Sequence, residues 1–102
     1  MIVSWPAKLP TDGSVRSQFC HVSDLAPTIL ELLGVESHHR PGIGTPGCSF
    51  AASLHDAYAA TAKDVQYFEM FGHRGLVHDG WKAVAYHEPG TAFEDDEWEL
   101  YH

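Results

Sequence analysis

Asp79-Gly80 lies between two β-rich runs, residues 76–78 and 81–86, and no other short feature of the chain restricts its fold as tightly. A two-residue hairpin turn of type I′ needs positive φ at both central positions. Asp-Gly accommodates this, while the β-branched and aromatic neighbours suit a ladder on either side. Another β-rich run, residues 65–71, precedes Gly72-His73-Arg74-Gly75, and the glycines at both ends make that tetrapeptide read as a second turn. With residues 98–101 as a candidate fourth strand, the second half of the chain is expected to form an antiparallel meander.

Upstream, H-V-S-D-L-A-P-T-I-L-E-L-L-G places Leu25, Ile29, Leu32 and Leu33 at offsets 0, 4, 7 and 8, which line one helical face. Ser23 or Asp24 is placed to cap this helix. Pro27 falls in the first turn, where a missing N–H matters little, and Gly34 suits the left-handed closing position. The spacing predicts a helix over 24–33 whose Leu25, Ile29 and Leu33 stripe covers one face of the sheet, an α+β arrangement. Residues 35–47 are rich in Gly and Pro without a hydrophobic period and read as a surface loop. Ser49 is then placed to cap a single helical turn.

At the start of the chain, Ile2-Val3-Ser4-Trp5 reads as a short strand stopped by Pro6. An apolar strand usually needs neighbours on both sides, and this one is expected to have been separated from the rest of its sheet. Tyr101-His102 likewise ends the chain straight after an aromatic segment, so the chain is expected to be a piece of a larger protein. Three segments are expected: 1–34 with the strand and helix, 35–63 as a connecting loop with a short helical turn, and 64–102 as the antiparallel sheet.

Composition excludes more than it selects. The chain of 102 residues has 44% hydrophobic and 20% charged residues, ordinary for a globular chain with one modest core. Fourteen acidic against six Lys and Arg residues leave a net charge of -8, which repels phosphate backbones and anionic lipid, so neither nucleic acid nor membrane is expected as a partner. Part of that excess is the run over residues 88–99, whose six carboxylates, Glu88, Glu94, Asp95, Asp96, Glu97 and Glu99, read as a solvated loop. The first residues lack the basic region and apolar length of a signal peptide, so no compartment is indicated: bacterial cytoplasm and periplasm both stay open. Cys20 and Cys48 have neither metal nor redox spacing and read as small packed side chains.

Catalytic chemistry is hard to assemble from these residues. Of eight histidines, His38 and His39 are adjacent in the Gly/Pro loop, and no HxH, HExxH or CxxC occurs. His78-Asp79 has the order of a phosphohydrolase metal dyad but lies at a hairpin. Ser49 follows Gly47-Cys48 as a nucleophile would, yet helix capping explains it better. Glu69 shares a strand face with Val65, Tyr67 and Phe71 and is expected to be ion-paired, with Arg74 or Lys82. No catalytic residue and no metal ligand is assigned. His73 and Arg74, at the expected turn tip, are candidates for a pocket rim, because an Arg fork suits sulfate, phosphate or carboxylate.

Taken in order, I-V-S-W-P, R-S-Q-F-C-H-V-S-D-L-A-P-T-I-L-E-L-L-G, Q-Y-F-E-M-F-G-H-R-G-L-V-H-D-G-W-K-A-V and D-D-E-W-E-L-Y-H resemble the C-terminal part of the type I sulfatases, most closely the bacterial arylsulfatases. The resemblance implies an alkaline phosphatase-like fold, in which residues 2–5 and the helix belong to a large α/β domain and the meander is a small antiparallel sheet packed on a helix. It also implies a formylglycine nucleophile, formed from the Cys or Ser of C/S-x-P-x-R, and a divalent cation, usually calcium, to neutralise the sulfate oxygens. Neither cysteine lies in that motif, and the chain has no Asn for the family's Asp-Asn metal pair. In the family these elements lie upstream.

The resemblance therefore implies part of a sulfuric ester hydrolase acting on an aryl or related sulfate ester. Its immediate partner would be the remainder of the sulfatase chain, and alone it would be inactive, contributing scaffold and pocket rim. Two alternatives stand beside it: a non-catalytic binding module, and a phosphodiesterase or phosphonate hydrolase of the same superfamily, since fold alone does not fix the ester.

Overall fold

The computed structural model describes residues 1–35 and 47–102. The chain divides into two compact units, Met1–Lys63 and Asp64–His102. The loop expected over 35–47, with His38 and His39, lies almost wholly outside the described residues.

In the first unit a 3-10 turn, Val22–Asp24, leads directly into helix α1, Leu25–Leu33. The capping is more elaborate than a single Ser or Asp. The His21 ring accepts from the Ser23 N–H, and the Asp24 carboxylate returns to the His21 N–H, a reciprocal box that satisfies otherwise orphaned donors. Gly34 closes α1 in the left-handed conformation, φ 68 and ψ 25, as its position predicts. Thr28 is the buried residue of α1: its hydroxyl donates to Asp24 O at 2.6 Å and accepts from Phe50 N at 3.0 Å. Helix α2, Ala51–His55, follows, and Ser49 Oγ accepts from Ala51 N at 3.2 Å at its entry.

One expectation for this unit is corrected. Residues 2–5 form no strand, and Ile2 is 96% exposed. A ladder needs a partner, and among the described residues the strands pair only with one another in the second unit. The chain turns instead after Trp5, whose carbonyl accepts from the N–H groups of Lys8 and Leu9. Ile29 and Leu33 are 54% and 57% exposed, so the described residues of this unit leave part of the α1 stripe uncovered; among them Leu9, Phe50 and Ala51 are the buried apolar residues.

The second unit is the expected meander: β1 Val65–Met70, β2 His73–His78, β3 Trp81–Ala85 and β4 Trp98–Tyr101, in the order β1-β2-β3-β4, every pair antiparallel. Asp79 and Gly80 adopt φ 46 and 81, the doubly positive pattern of the predicted hairpin turn. The first hairpin differs. Its turn is Phe71-Gly72, φ 55 and 89, so the ladder already starts at Met70 opposite His73. His73 and Arg74 are therefore strand residues. The two-residue turn keeps the right-handed twist of the strands, and Glu69 Oε1 accepts the Gly72 N–H at 2.8 Å to support it. The α+β class holds at this level: among the described residues there is a four-stranded antiparallel sheet with two α-helices. Among the described residues no helix is long and apolar enough to cross a membrane.

Candidate functional site

Register and the alternation of side chains put Arg74, Ala85 and Trp98 side by side on one face of the sheet. The connection from β3 to β4 folds onto this end of the face. It carries a 3-10 turn, Phe93–Asp95, and then Asp96. Arg74 Nη2 donates to Asp96 Oδ2 at 2.5 Å and to Phe93 O at 3.2 Å. Its guanidinium lies 5.0 Å from the Phe93 ring centre and 5.2 Å from that of Trp98, so cation–π attraction adds to the ion pair. Ala85, beneath, is 3% exposed.

Asp96 also receives His87. Its Nδ1 lies 3.0 and 3.1 Å from the two carboxylate oxygens, and the ring stacks on Phe93 with centroids 4.1 Å apart. The carboxylate side chain is only 4% exposed. Burial pushes its pKa up, but hydrogen bonds from His87 and Arg74, with their charges, outweigh this and hold it below the ordinary 3.8. His73 lies on the opposite face, where it stacks on Tyr86 at 4.7 Å and accepts the His87 N–H on Nδ1 at 3.2 Å. Gly72 is required where it is: a Cβ there would lie 2.5 Å from His87 Cδ2.

The expected pocket-rim pair is thus placed on β2, and Arg74 spends its charge inside the protein. The fork that would grip an external anion is neutralised by Asp96 and covered by two aromatic rings. Glu69 is likewise not paired with Arg74, although the two are cross-strand neighbours. Its strand face is exposed, so the carboxylate needs no cation and bonds the turn N–H instead. The acidic run is solvated except at Asp96.

A second ionic centre lies in the first unit. Asp24, 1% exposed, meets Lys63 Nζ at 2.6 Å and accepts the N–H groups of His21 at 2.7 Å and Cys48 at 2.9 Å. Desolvation raises its pKa, and the Lys63 bond with the two N–H donors more than reverses this, leaving the carboxyl below 3.8. Ser23 Oγ joins the network, 2.9 Å from His21 Nδ1 and 3.3 Å from Lys63 Nζ. Gly47 allows the segment to close against it, since a Cβ there would lie 2.0 Å from Ser23 O. This arrangement ties three chain segments together and neutralises its own charges.

Lys63, His87 and the singular role of Asp96 escape a reading of the sequence, because their partners are remote and each looks like an ordinary surface residue. Cys20 and Cys48 are free thiols and exposed rather than packed. Cys20 opens on a groove of about 420 Å³ shared with Ile2, Val3, Leu9, Phe50 and Leu54. Among the described residues, no three His, Cys, Asp or Glu side chains converge to hold a metal ion. No protein-family model matches the chain, and no curated protein matches it.

Proposed function

We propose that this chain is part of a type I sulfatase, an arylsulfatase-like sulfuric ester hydrolase, and that it serves there as scaffold. The observation that carries the reading is the order of H-V-S-D-L-A-P-T-I-L-E-L-L-G, F-E-M-F-G-H-R-G and G-W-K-A-V in one chain. Two features of the geometry support a scaffold role. In each ionic centre the Lys or Arg is paired with the centre's own carboxylate, Lys63 with Asp24 and Arg74 with Asp96, so neither cation is left free for a sulfate ester. Each unit also leaves large apolar residues exposed, Ile29 and Leu33 in the first and Tyr67 and Trp81 in the second, and such residues suit covering by further polypeptide.

In this reading the formylglycine nucleophile and the calcium, or another divalent cation, are held by residues outside the chain. Hydrated formylglycine supplies the attacking oxygen when present. The contribution of these residues is to hold the β2–β3–β4 end rigid through Arg74, Asp96 and His87, and to anchor α1 through Asp24 and Lys63. The pocket-rim role of His73 and Arg74 becomes indirect, a positioning of the β1–β2 turn.

The genomic reading frame tests this proposal. We expect about 300 or more in-frame upstream codons that include C/S-x-P-x-R. A start at Met1 with its own ribosome-binding site, and no such motif in frame, would overturn it.

A further inference from the structure

We draw no further inference here: the strongest candidate, the exposed aromatic and apolar face of the meander around Tyr67, Leu76, Trp81 and Leu100, carries nothing because no feature of the structure shows what covers it.

Discussion

Each unit closes on one buried carboxylate, and the two do so differently. Asp24 in the first unit joins residues far apart in the chain: the His21 and Cys48 N–H groups and the Lys63 ammonium. Asp96 in the second collects Arg74 from β2 and His87 from the β3–β4 connection, in a unit whose strands already pair with their sequence neighbours. Where hairpin ladders set the backbone, the ion pair only pins a connection. Where secondary structure is sparse, polar side chains hold the segments together, and the network becomes the fold.

Removing a partner from the first centre should therefore have the largest effect. Lys63→Met leaves a buried carboxylate without its cation, which costs about 3–5 kcal/mol. Urea unfolding would measure the loss, and amide exchange should quicken at His21 and Cys48 while residues 65–85 keep their protection. A loss below about 1 kcal/mol would place Asp24 among ordinary surface carboxylates.

The two hairpin turns of the second unit refine the contrast. Gly72→Ala combines a φ of 89 with a clash against a His87 ring held by Asp96, and is expected to destabilise by about 2–3 kcal/mol. Gly80→Ala has a similar φ of 81 but open space around the new methyl, so about 1 kcal/mol is expected. Equal losses would mean that the His87–Asp96 contact does not hold the ring in place.

Acid separates the centres from the rest of the protein. Both Asp24 and Asp96 have folded pKa values below 3.8, so their stabilisation is complete above that value and is lost as pH falls through the depressed folded values. Circular dichroism should show an acid transition below about pH 3.8 that flattens in Asp24→Asn and Asp96→Asn. An unchanged transition in both variants would assign acid unfolding to other carboxylates. The smallest expected effect is local. The Tyr101 hydroxyl donates to Glu99, which holds its pKa above 10.0. Glu99→Gln should bring the phenol back towards 10.0 in an ultraviolet titration, with little change in stability.

Features legible in the sequence are those governed by local chemistry. Asp79-Gly80, Gly34 at the end of α1 and the strand pattern of residues 81–85 each combine a backbone requirement with the residue that meets it. The first hairpin turn is not legible in this way, because Gly72 and Gly75 both look like turn residues. The turn uses Phe71 at φ 55 instead, a conformation that bulky side chains rarely adopt. Residues 2–5 show the limit of β propensity, which favours a strand without supplying a partner. Asp24 was legible as a cap but not as a hub, since nothing near it in sequence points to Lys63. Asp96 differs from Asp95 only in where the fold puts it.

The central claim, a sulfatase scaffold whose reacting groups lie outside these residues, is tested most directly by assaying the complete reading frame. It should be expressed with a formylglycine-generating enzyme and calcium, with 4-nitrophenyl sulfate and bis(4-nitrophenyl) phosphate as competing substrates. Preferential hydrolysis of the sulfate ester, abolished when the Cys or Ser of C/S-x-P-x-R is changed to Ala, is the expected result. Sulfate hydrolysis by the purified 102 residues alone, or a complete frame that cleaves only the phosphodiester, would contradict it.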